Sequence, residues 1–151
     1  MRKPARWIAA FFALSLAACA HSSPPPSGAA AIERWSENHP EASTELGEWV
    51  KAHRDAARLF FEWDGHHPAR AKEFVTWTIN HPAQPLEAFT LTHPGWETFD
   101  TITESHRPAA EAFMGWCRRH PRAAEALMHH SRGLEWAGHH LYAASWEMET
   151  K

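Results

Sequence analysis

Four tryptophans, Trp35, Trp49, Trp63 and Trp77, stand 14 residues apart, and each is followed four residues later by a histidine, His39, His53, His67 or His81. Proline follows three of these histidines, as Pro40, Pro68 and Pro82, and a large apolar residue comes seven after the first three, at Leu46, Phe60 and Phe74. A fixed period constrains a chain more than any local feature, because repeated units bury their apolar faces only by stacking on one another. The period continues with slips: His93-Pro94 comes 12 residues after His81, His106 comes 13 later, and His120-Pro121 comes 14 later with Trp116 four before it. Phe99, Phe113 and Leu127 take the Leu/Phe slot of these later units, and Leu91 and Ile102 are read as replacing tryptophan. Seven units result.

Apolar residues fall three and four apart, and no stretch alternates with a period of two, so the units are helical. An interval of 14 equals two heptads and raises the possibility of a single coiled-coil rod. Proline rejects it. The five His-Pro steps would each cost about 3 kcal/mol inside one helix, about 15 kcal/mol together, as much as the whole stability of an ordinary domain. At the first position of a new helix the same proline is favourable, and the residue before it is pushed out of the α region. Each His-Pro step is therefore read as a corner. Helices are expected over 41–63 with a break at His53, then 68–79, 85–91, 95–105, 108–118, 121–130 and 134–147. Such short helices are marginal alone and must pack. Each tryptophan buries about 150 to 250 Å², worth about 4 to 6 kcal/mol before entropy. The fold expected is all-α: short helical units stacked as a compact α-solenoid or spiral bundle, with the Trp and Leu/Phe slots as its core.

Residues 1–18 have a basic head (Arg2, Lys3, Arg6), an apolar run from Trp7 to Leu16, and small residues leading to Cys19. That is the layout of a secretory signal, too short to span a bilayer. Its end, Leu16-Ala17-Ala18-Cys19, resembles the lipobox of bacterial lipoproteins. The resemblance implies cleavage before Cys19, a diacylglycerol on its sulfur and an acylated new amino terminus, which together make a durable membrane anchor. Ala20 in place of aspartate after the cysteine implies, by the same resemblance, the outer membrane, with the chain facing the periplasm. Residues 19–31, rich in Ser, Pro and Ala, lack apolar periodicity and read as a tether. Residues 32–151 remain as one repeat domain, long enough to bury a core.

Removal of the signal takes away three of the 15 basic residues and none of the 18 acidic ones, leaving a formal charge of about −6 with neutral histidines. Nucleic acid is a poor partner for such a chain. The 13 histidines have an intrinsic pKa near about 6.5, so acidification reverses that sign.

One histidine per unit suggests a metal ladder, but corner residues of successive units need not converge, and a site requires three or four ligands at one point. The simpler reading packs each ring on the aromatic residue one turn before it. The residues best placed to ligate an ion are His129, His130, Glu135 and His139, two ending one helix and two standing four apart on the next. Zn²⁺, Ni²⁺ or Cu²⁺ are the ions such a set takes. His66 and His67 are adjacent and point differently. Cys117, three before His120, is the only thiol besides Cys19; cationic neighbours could activate it, but no third orienting group is evident and a partly buried structural cysteine is expected. No phosphate loop, nucleophile elbow, haem motif or paired carboxylate is present, so no enzyme and no cofactor are expected. The function expected is binding or scaffolding, with another protein as partner beside the membrane. A metal-binding lipoprotein and a thiol enzyme using Cys117 are the alternatives.

Overall fold

A computed structural model describes residues 28–130, with side chains from Ala30 onward, and every regular element in that span is an α-helix: α1 (Gly28–Asn38), α2 (Pro40–Ala52), α3 (Arg54–His66), α4 (Pro68–Asn80), α5 (Leu86–Thr92), α6 (Glu97–Ser105), α7 (Arg107–Arg119) and α8 (Pro121–His129). Five joints consist of a single residue: His39, His53, His67, His106 and His120. At these histidines φ lies between −133° and −127° and ψ between 44° and 63°. Each amide N–H donates back to the carbonyl four residues before, on Trp35, Trp49, Trp63, Ile102 or Trp116, at 2.8–2.9 Å. Each carbonyl in turn accepts the N–H four residues ahead, at 2.8–3.0 Å. The histidine thus closes one helical ladder and opens the next. Because the histidine serves both ladders the turn needs no loop, and only the amides of the first turn after it go without a helical partner.

Proline fits this geometry, since it forbids the α conformation at the preceding histidine and occupies a position whose N–H has no partner. It is not required. Arg54 and Arg107 follow His53 and His106, and those corners have the same form. The break expected at His53 is therefore a full corner.

Helix α1 begins inside the stretch read as tether, and Ala31 and Ile32 are buried. The alanines from Ala29 to Ala31 have the strongest helix propensity of any residue, and no proline interrupts them. A second difference concerns Leu91, read as a substitute for tryptophan. It is 82% exposed, while Phe89, which stands four before His93 as each tryptophan stands before its histidine, is wholly buried. Where the period slips, the distance to the following corner decides which residue faces inward.

The units do not extend as an open solenoid in which each touches only its neighbours. They double back into a bundle, with α1 against α8, α2 against α7 and α3 against α6, while α4 packs on α7 and α8. The central pair is antiparallel and reciprocal: the Trp49 indole N–H donates to the Ala109 carbonyl at 2.9 Å, and that of Trp116 donates to the Ala42 carbonyl at 2.9 Å. Trp35 does the same to Ala123 at 2.8 Å. Each indole reaches its acceptor because the first turns carry buried alanines, among them Ala42, Ala56, Ala109 and Ala123, whose small side chains let the helices approach. Residues 67 apart, such as Trp49 and Trp116 or Ala42 and Ala109, therefore play equivalent roles about an approximate internal two-fold.

Between the layers Phe60, Phe74, Phe99 and Phe113 meet, with Phe74 and Phe99 ring centroids 4.9 Å apart. Edge-on geometry of this kind adds to the area these rings bury. Helix α5 joins the two halves. Arg118 fixes the turn before it, its Nη2 donating to the His81 carbonyl at 2.9 Å and the Gln84 carbonyl at 2.6 Å. Arg107 pairs with Glu87 on α5 itself.

Candidate binding site

Four of the five corner histidines pack on the tryptophan four residues before them, whereas His106 follows Ile102. Ring centroids of Trp35–His39, Trp49–His53, Trp63–His67 and Trp116–His120 lie 6.0–6.3 Å apart, tilted by 41–47°. Two other histidines lie flatter: His81 stacks on Trp77 at 4.6 Å and His93 on Phe89 at 3.9 Å. In these two the ring Nδ1 also meets a backbone carbonyl, of Trp77 at 2.8 Å and of Phe89 at 2.9 Å. These six repeat histidines are therefore part of the packing.

Two of them also face carboxylates on other helices. His93 Nε2 lies 3.2 Å from Glu73 Oε1, and His120 Nε2 lies 3.0 Å from Glu45 Oε2. Arg119 joins the second pair, its Nη2 3.1 Å from the same oxygen. The His120 ring is the largest influence on the Glu45 carboxyl and holds it below the usual carboxylate range; partial desolvation opposes this and Arg119 reinforces it.

Among the described residues no group of three or more His, Cys, Asp or Glu side chains could hold a metal ion. Of the ligand set read from the sequence, His129 and His130 are exposed at the end of α8, whereas Glu135 and His139 lie outside the described residues, as does Cys19.

Cys117 has no exposure at all, and burial pushes its thiol far above the ordinary range. A thiol that stays protonated and out of reach of solvent is no nucleophile. The last turn of α7 supplies Arg118 to backbone carbonyls of the turn before α5 and Arg119 to Glu45, so the cationic neighbours serve other partners. Native protein treated with iodoacetamide at neutral pH is expected to keep Cys117 unmodified for hours and to be alkylated fully once denatured; rapid native modification, read by mass spectrometry, would show that this helix opens far more easily than its burial implies.

Among the described residues several open grooves bring polar residues together, a small one of about 280 Å³ beside α5 and three larger ones. One, of about 370 Å³, lies where the His39 and His120 corners face each other and carries Arg119 and Arg122. A second, of about 470 Å³, lies between the His53 and His106 corners and carries Lys51, Arg54 and Asp55. These two correspond through the 67-residue offset. A third, of about 750 Å³, runs between α3 and α6. Leu59, Glu62, Trp63 and His66 line it from α3, and Glu97, Thr98, Thr101, Ile102 and Ser105 line it from α6, with the corner histidines His67 and His106 at its ends. The structure thus brings the adjacent pair His66 and His67 into a site with His106, though in no ligating arrangement. The α6 residues have no counterpart in the sequence reading, because isolated polar positions on an outward helix face carry no periodic signal.

The fold and these grooves define a class, an all-α helical-repeat bundle with histidine at its corners and a polar groove between two of its helices. Comparison with known protein families, with curated proteins and with solved structures found no match.

Proposed function

We propose that the chain is a lipid-anchored helical-repeat protein of the bacterial outer membrane, facing the periplasm, whose domain binds or scaffolds another protein. The lipobox-like end of the leader supports the anchor. The Ser-, Pro- and Ala-rich stretch read as a tether follows the lipobox directly, so a partner would be met close to the membrane. The observation that carries binding is the groove between α3 and α6: its floor is formed by core residues Trp63 and Ile102, while its rim is polar and solvent-facing. Rigid elements presenting a mixed apolar and polar concavity are the usual form of a recognition site.

Two measurements test the two halves of this proposal. Cys19→Ser is expected to leave an unprocessed precursor that incorporates no lipid label; a variant that is still matured and fractionates with membranes as the wild type does would remove the anchor. For binding, a photo-crosslinking residue placed in turn at Glu48, Thr76, Thr101 and Glu125, all exposed, is expected to give a discrete crosslinked product in intact cells from at least one position. No product from any position would count against a protein partner.

A further inference from the structure

We propose that the groove between α3 and α6 receives a cationic segment of a protein partner, with Glu62 and Glu97 pairing its Lys or Arg side chains and Leu59 and Ile102 seating an apolar one. The inference rests on the protein-binding reading above and names the surface and the chemistry of its ligand. Charge is the first argument. Among the described residues, and with histidines neutral, the carboxylates of Glu62 and Glu97 are the only charges lining this groove, whereas the two corner grooves carry arginine or lysine and a smaller groove beside α5 carries Arg107 among its carboxylates. Glu62 approaches a cation only at 3.9 Å, from Arg58 one turn away, with both side chains about three-fifths exposed. Solvated pairs at that distance are weak and are readily exchanged for a better-placed partner.

The internal two-fold supplies the second argument. Through the 67-residue offset, core positions of these helices keep their character: Ala57 corresponds to Ala124, Phe60 to Leu127 and Ile102 to Trp35, all buried. The groove positions do not. Glu62 corresponds to His129, Glu97 to Ala30, Leu59 to Ala126 and Thr101 to Arg34. The fold therefore asks for no carboxylate at either place, and the acidic, half-apolar lining is peculiar to this pair of helices. The third argument is size. Helix α6 has nine residues, about 14 Å at 1.5 Å per residue, which matches about four residues of extended chain. A short motif with one apolar anchor and flanking basic residues fits that length.

The test uses the full-length lipoprotein in zwitterionic detergent, with empty micelles subtracted. Its probe is a fluorescein-labelled 12-residue peptide of alternating Lys and Leu, compared with the same peptide carrying Glu for Lys. The Lys peptide is expected to bind saturably and the Glu peptide to fail. Glu62→Gln with Glu97→Gln is expected to weaken the Lys peptide by about five-fold or more, the loss of two partly solvated ion pairs. Glu48→Gln with Glu125→Gln, an equal change of charge at exposed positions elsewhere, is expected to change it less than about two-fold. Equal weakening by both doubles would reduce the effect to general surface attraction and overturn the proposal, as would unsaturable binding or no effect of the groove pair. The in-cell crosslinks separate this failure from that of the broader reading. Products from Glu48, Thr76 or Glu125 but none from Thr101 remove this groove and leave protein binding standing; silence at all four positions removes both.

Discussion

Trp116→Ala is expected to cost about 3 to 5 kcal/mol and to leave the domain unfolded, or close to it, at growth temperature. The ring is 1% exposed and lies against Trp35, Phe113 and His120. Its removal opens a cavity between the two layers at the antiparallel pair α2 and α7. The indole N–H is also the donor to the Ala42 carbonyl, and a buried acceptor left without its donor adds about 1 to 3 kcal/mol. Against a typical total of about 5 to 15 kcal/mol that loss is severe. Trp116→Phe separates the two contributions, since it keeps much of the volume and deletes the hydrogen bond. It should fall between wild type and Trp116→Ala. Trp77 is a repeat tryptophan too, but it is only partly buried, stacked flat on exposed His81, and Trp77→Ala should be the mildest of the set. Urea unfolding followed by circular dichroism checks the order. A Trp116→Ala protein that melts within a degree or two of wild type would mean that the tryptophans are not the core.

The second large effect lies on α5, where neighbouring apolar residues have opposite fates. Phe89→Ala is expected to cost about 3 to 5 kcal/mol, because Phe89 is wholly buried and its ring meets those of Phe74, Trp77, Trp96 and Phe99 at 5.0–5.4 Å. Leu91→Ala should change stability by no more than about 0.5 kcal/mol, as at other surface positions. The reverse order would mean that α5 presents its other face to the bundle. Helix α5 is also where the spacing between histidines contracts from 14 to 12 residues. Counting forward from Trp77 points to Leu91, and counting back from His93 points to Phe89. The structure follows the second count, because the corner is the geometrically constrained element and the aromatic residue one turn before it is placed by the helix that ends there.

The all-helical repeat, the corners at histidine and the inward Trp and Leu/Phe slots were legible in the sequence because each is a short-range property. Helical periodicity and the restriction on a residue before proline act within about a dozen residues, and a period repeated many times reports them many times over. The residues 134–147, predicted as a further helix, lie outside the described span. Tertiary structure alone decided which units face each other. Trp49 finds Ala109 and Trp116 finds Ala42 across 60 and 74 residues, a match of indole donors to backbone acceptors that no local pattern encodes. The same pairing buried Cys117 completely, where the sequence beside Arg118, Arg119 and His120 pointed to a partly buried structural cysteine. It also formed the groove of Glu62 and Glu97, for two carboxylates 35 positions apart in the chain become one site only when α3 and α6 pack side by side. Short-range sterics and periodicity belong to the sequence, whereas a surface assembled from outward-facing residues of distant helices comes into being only with their packing.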